Sequence, residues 1–211
     1  MPADHRRQYN RNLRKGMEMD EALAAFLKVL DPEDNSTGGG AASAVAGAMA
    51  AALVSMVARL SLGKPGMENE SFYREISQEA EELSRRLYRG GAADSQAFEA
   101  IRAAYCLPKG APAEKEKRLN AIQEAIREAA RIPLENAAAC REVLALAARL
   151  RKRFNESAAS DLECAGYLAR AGLSGCLANV EINLRSLKNP GVVAEFSARA
   201  ASLKQAVPPQ K

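Results

Sequence analysis

The chain has a single histidine among its 211 residues, His5, in a polar N-terminal stretch. That removes Ser–His and Cys–His nucleophile pairs from the core, along with the H-E-x-x-H zinc helix and the Glu-x-x-His di-iron bundle. Proton transfer therefore falls to Asp, Glu, Lys, Tyr, Cys or water. Asp94 is the first candidate. It shares one helical face with Phe98, Ile101 and Tyr105 and lies three residues after Gly90-Gly91. A carboxylate on such a face can take and return protons or stabilise a cationic carbon. The structural alternative is an acidic residue favoured at a helix N-terminus by the dipole.

The other candidates are spread along the chain. Asp161 follows Ser160, a pair that also reads as ordinary N-capping. Asn179 and Asn183 stand one turn apart amid Leu177, Val180, Ile182 and Leu184, so buried amides there need partners, from a ligand ring or from a neighbouring helix. Asp161 and Asn183 lie about 33 Å apart along a straight helix, too far to touch one small group within a subunit. Gly38-Gly39-Gly40 opens a long helix and leaves backbone N–H groups unobstructed at its positive end, a suitable place for a polar or anionic ligand. Ser43 is the nearest hydroxyl to that turn. Lys64 closes the same helix, as a charge complementing the dipole or as an anion clamp. The triple glycine lacks G-x-x-x-x-G-K-[ST] and a preceding strand, which argues against a nucleotide loop.

The elements that must position these residues are all helical. From Ala41 to Ala58, twelve of eighteen residues are Ala, Gly or Ser, which predicts a buried helix that neighbours approach closely. It stops at Gly63-Lys64-Pro65-Gly66. Apolar spacing predicts further helices over Glu18–Leu30, Phe72–Tyr88, Asp94–Cys106, Glu114–Arg131, Leu134–Lys152, Asp161–Leu187 and Val192–Leu203. Gly90-Gly91 separates the second and third of these; Pro133 interrupts a pattern that resumes, so a kinked rod is expected there. Ser160 is the expected N-cap of the long helix beginning at Asp161. The expected organisation is a polar segment over 1–17, one helical domain over 18–205 and a tail over 206–211.

Composition narrows the function classes. The net charge of +4 comes from 30 basic and 26 acidic residues dispersed along the chain, without the clustered patch a nucleic-acid partner needs. The four cysteines form no C-x-x-C pair and no secretory signal precedes them, so a reduced, cytoplasmic setting is expected. The run over 41–62 is long enough to span a membrane, yet Ala, Ser and Gly are weakly apolar and Arg59 sits near one end; a core helix is expected instead. No metal site is expected.

Several segments, in order, resemble the cyclodeaminase/cyclohydrolase family of folate enzymes. They are Gly38-Gly39-Gly40-Ala-Ala-Ser through Leu-Ser-Leu-Gly-Lys64, Asp94-Ser-Gln-Ala-Phe98, Leu107-Pro108-Lys109, Ile132-Pro133-Leu134, Ser160-Asp161-Leu162 and Asn179-Val-Glu-Ile-Asn183-Leu-Arg185. Thr37 stands where the family usually has Pro, and Ala41 where it often has Ser. The resemblance implies an all-α homodimer with a folate groove among its helices and no cofactor besides the tetrahydrofolate substrate. It implies one of two reactions. In cyclohydrolysis, water opens 5,10-methenyltetrahydrofolate to 10-formyltetrahydrofolate. In cyclodeamination, 5-formimidoyltetrahydrofolate closes with loss of ammonia. The expectation leans to the cyclohydrolase, because no formiminotransferase domain accompanies the sequence; a folate-binding protein without turnover is the further alternative. Asp94, Asp161 and Lys64 are the expected catalytic residues, and Gly38, Gly39, Gly40, Ser43, Asn179 and Asn183 the expected substrate contacts.

Overall fold

The computed structural model describes residues 37–205; the helix expected over Glu18–Leu30, the segment 1–17 and the tail 206–211 lie outside the described residues. Within that range the chain forms five α-helices: α1 (Gly39–Ser61), α2 (Glu70–Tyr105), α3 (Pro112–Leu150), α4 (Ala159–Leu184) and α5 (Pro190–Gln205), with a 3₁₀ turn at Glu156–Ala158 before α4. The described residues contain no strand.

Helices α1 to α4 run up and down in sequence order. Gly40 lies against Asp94 while Ser55 bonds Ser77 at 2.9 Å, which makes α1 and α2 antiparallel. Gly40 also meets Asn179, while Ser61 at the far end bonds the backbone of Asn155, so α4 is antiparallel to α1. Short polar residues set the helix starts. Asn69 caps α2 by accepting from the Phe72 N–H at 3.0 Å, and Glu114 accepts from the Gly110 and Ala111 N–H groups before α3. Asn189 accepts from the N–H groups of Gly191 and Val192 at the start of α5.

The core is aliphatic, as the composition implies. Val54 and Val57 of α1 pack with Ile76, Leu87, Val143, Leu150 and Leu173 in one cluster, and Tyr73 closes one end by donating its hydroxyl to the Arg153 carbonyl at 2.8 Å. By length and apolarity α1 could cross a membrane, but twelve of its residues are buried against the other helices. A Cβ on Gly47 would come within 2.5 Å of the Cys140 sulfur, so the small residues let α1 and α3 approach closely. A second cluster of Ala130, Leu134, Val180 and Phe196 docks α5.

Two local expectations are corrected. Gly90-Gly91 does not separate two helices: α2 runs unbroken for 36 residues. A helical glycine costs about 1 kcal/mol against alanine, but tertiary packing prevails here, because a Cβ on Gly91 would press on the Ala41 carbonyl at 3.3 Å. Ser160 is not the N-cap of α4. That helix starts at Ala159 straight out of the 3₁₀ turn, with no side-chain cap at Ala158, and Asn155 caps the turn instead. Helix α3 continues through Pro133 as one rod of 39 residues.

Candidate active site

The N-terminus of α1 is where the polar candidates converge. Its N-cap, Gly38, offers no side-chain hydrogen bond to the first turn. Asp94, brought in by α2, accepts from the Ala41 N–H. A Cβ on Gly40 would lie 2.5 Å from both Asp94 carboxylate oxygens and would also strike the Asn179 amide. Glycine is therefore required at 40 for three helices to meet. Cβ atoms on Gly38 or Gly39 would meet no described residue within 4 Å, so none of the described residues covers the turn.

The amide pair is prearranged. Asn183 donates through Nδ2 to the Asn179 side-chain oxygen at 2.8 Å and to the Ala129 carbonyl at 2.8 Å. That carbonyl lies four residues before Pro133, which has no N–H to bond it within the helix. The proline thus frees an acceptor, Asn183 takes it, and Asn183 in turn fixes Asn179 with its amide nitrogen toward Gly40 and Asp94. Burial pushes the Asp94 carboxyl up to about 6, against the opposing pull of the Ala41 N–H. A carboxyl poised just below neutrality, beside a helix N-terminus and an oriented amide donor, can both accept and return a proton near pH 7.

Other expected residues fall elsewhere. Ser43 lies just inside the turn, but its hydroxyl donates to the Gly39 carbonyl at 2.6 Å. Lys64 follows α1 and Asp161 sits in the first turn of α4, both at the end of the bundle opposite Asp94. The length of α1 separates the two ends by about 33 Å, so within one chain neither residue reaches Asp94. The face that Asp94 was expected to share with Phe98 and Tyr105 is divided. Helix α2 overhangs the start of α1, leaving Phe98 38% and Tyr105 53% exposed.

Sequence reasoning missed two features beneath Asp94. Cys140 and Cys176 are both fully buried, and the Cys176 thiol is held far above its ordinary range by the neighbouring Cys140, by burial and by Asp94. Asn136, on α3, is buried against Gly90. Its only signal was an amide between Glu135 and the small apolar run Ala137-Ala138-Ala139. A separate groove of about 540 Å³ between α1 and α2 is lined by Ala52, Met56, Leu60, Arg59, Glu81 and Arg85, among others. It has less to offer chemically, since Glu81 is already paired with both arginines.

The fold and site define an all-helical bundle whose polar centre is a carboxylate at a glycine-led helix start. The formiminotransferase-cyclodeaminase family matches over residues 22–202, and the chain belongs to that family. Over 180 residues it is 38% identical to the methenyltetrahydrofolate cyclohydrolase of Methylorubrum extorquens, covering 85% of this chain and 86% of that protein. It is 31% identical to the formimidoyltransferase-cyclodeaminase of Rattus norvegicus, covering 89% of this chain but 35% of the longer rat protein. The crystal structure of formiminotetrahydrofolate cyclodeaminase from Thermotoga maritima superposes with a TM-score of 0.75 at 28% identity, covering 85% of each chain.

Proposed function

We propose that this protein opens the one-carbon bridge of 5,10-methenyltetrahydrofolate by adding water, with Asp94 as the proton-transferring group. The observation that carries the reading is the Asp94 carboxyl set against Gly40 beside the Asn179 amide at the start of α1, where burial raises its pKa. The methenyl carbon between N5 and N10 is already an amidinium-type cation and needs no Lewis acid. Asp94 takes a proton from the attacking water while its negative charge offsets the cation. It returns a proton to N5 as the C–N5 bond breaks, and the remaining hydroxyl proton leaves to solvent as the formyl carbonyl forms on N10. Asn179, held by Asn183, orients the heterocycle over Gly38–Gly40.

The similarity to a cyclohydrolase along most of its length favours water addition. Ring closure of 5-formimidoyltetrahydrofolate with loss of ammonia uses the same geometry, since both reactions pass through a tetrahedral carbon between two nitrogens; the other relatives support that second reading. The near-ultraviolet methenyl band separates them. Loss of the band faster than buffer supports hydrolysis; growth of the band with ammonia release from the formimidoyl substrate supports cyclodeamination; neither, with folate still bound, supports a non-catalytic binding protein.

The reading includes a homodimer. Met49, Met56 and Leu60 form an exposed apolar stripe along α1, 57%, 37% and 45% accessible respectively. A two-fold axis across that stripe sets two α1 helices antiparallel and carries Lys64 of one protomer to the glycine end of the other, where a basic residue can meet the glutamate tail of the folate. Mixing Asp94→Asn and Lys64→Ala variants through a denature–refold step, assayed at a substrate concentration too low for either to turn over alone, then restores roughly a quarter of wild-type turnover. No recovery from the mixture rules out a shared site.

A further inference from the structure

We infer that Asn136 is a specificity residue, whose side-chain N–H groups are held for a hydrogen-bond acceptor on the innermost edge of the bound substrate, the pyrimidinone carbonyl of the pterin. The inference rests on the folate reading above and adds a residue to it.

Asn136 is 4% exposed, and its Nδ2 is the one buried side-chain nitrogen or oxygen among the described residues with no hydrogen-bond partner. Buried donors are rarely left unpaired, because they forfeit water without replacement. Its position gives the orphan a purpose. On α2, Gly90 lies one turn below Asp94 on the same face, and a Cβ there would run into the Asn136 carboxamide, with Cγ at 2.8 Å. On α3, Asn136 lies one turn above Cys140, which packs with Leu87 around Gly47 in the apolar layer below. Asn136 therefore forms a polar floor between the Asp94–Asn179 layer and the aliphatic core. Gly90 makes room for it, which accounts for a glycine in the middle of a long helix.

A folate has an anionic glutamate tail at one end and a flat heterocycle at the other. The glutamate carboxylates are costly to bury, so the tail stays toward solvent and the heterocycle goes deepest. An amide donor on the floor then meets the carbonyl of the pyrimidinone ring.

The test uses tetrahydrofolate and its 4-amino-4-deoxy counterpart, in which a donor replaces that carbonyl, titrated calorimetrically without oxygen into wild type and variants. Asn136→Ala is expected to weaken tetrahydrofolate about tenfold and the 4-amino compound hardly at all. Turnover should show the loss in KM more than in kcat. Asn136→Asp should shift preference toward the 4-amino compound. If Asn136→Ala does not fold, Gly90→Ala displaces the carboxamide without deleting it and should reproduce the selective loss. Equal weakening of both compounds, or of neither, overturns the inference while leaving the folate reading intact. Wild type that binds neither compound and converts neither one-carbon substrate overturns both.

Discussion

The two ends of α1 show how differently one helix can be finished. At its C-terminus the local polar groups are matched. Ser61 donates to the Val57 carbonyl and accepts from the Asn155 N–H, both at 2.9 Å; the Asn155 amide reaches the Leu60 carbonyl, and Gly63 turns the chain at φ +65. At its N-terminus no side chain of the helix's own cap bonds the first turn. A carboxylate from α2 stands there instead, with its pKa raised by burial. The closed end is made of groups that satisfy one another, as structural termini are. The open end keeps a titrating group at a distorted pKa under an exposed glycine turn, an arrangement that stability alone does not favour. That contrast marks the open end as the candidate site, although sequence reading placed candidates at both ends.

Breaking the open end should have the largest effect. Asp94→Asn is expected to lower kcat by about a thousandfold. The wild-type rate should rise with pH through an apparent pKa near 6, and that limb should vanish in the variant. Its stability should change in the opposite sense. The folded-state pKa lies above the ordinary 3.8, so ionising Asp94 disfavours the fold, and stability is lost as pH rises from about 4 through 6. Asp94→Asn should therefore melt higher than wild type at pH 7, with the difference shrinking toward pH 4. An unchanged pH–rate profile would move the chemistry to another group.

Gly40→Ala comes next. Its Cβ must displace Asp94 and Asn179 together, so turnover should fall about a hundredfold with a stability loss of about 1–3 kcal/mol. Full activity would mean that the three-helix contact is not the reacting geometry. Asn183→Ala unlatches Asn179 and leaves the Ala129 carbonyl unpaired. A cost of about 1–2 kcal/mol in denaturant melts and a raised KM are expected; a stability loss with unchanged KM would reduce the pair to a structural clasp. Ser61→Ala, at the closed end, is the smallest change. It should cost about 1 kcal/mol and leave kcat and KM at wild-type values, and any kinetic effect would blur the contrast between the two ends.

Much of this was legible without coordinates. The period of the apolar residues specified an all-helical chain, because a 3.6-residue repeat can bury its stripe only in that form. Runs of Ala, Gly and Ser marked the central helix, and the ordered motifs pointed to the family. The single histidine, His5, left proton transfer to Asp, Glu, Lys, Tyr, Cys or water, with Asp94 the first candidate. Local signals also misled. Gly90-Gly91 reads as a break and Ser160 as a cap because propensity sees only near neighbours, whereas Asn136 and the Ala41 carbonyl, which explain the glycines, come from other helices. Only the tertiary structure could bring Gly40, Asp94 and Asn179 together, raise the Asp94 pKa by burial, and hand the carbonyl freed by Pro133 to Asn183. The sequence by itself determined which chemistry was available, since that depends on residue type. The antiparallel packing of α1 to α4 decided which of those groups come together, since burial and contact across 50 or more residues arise only when the chain is folded.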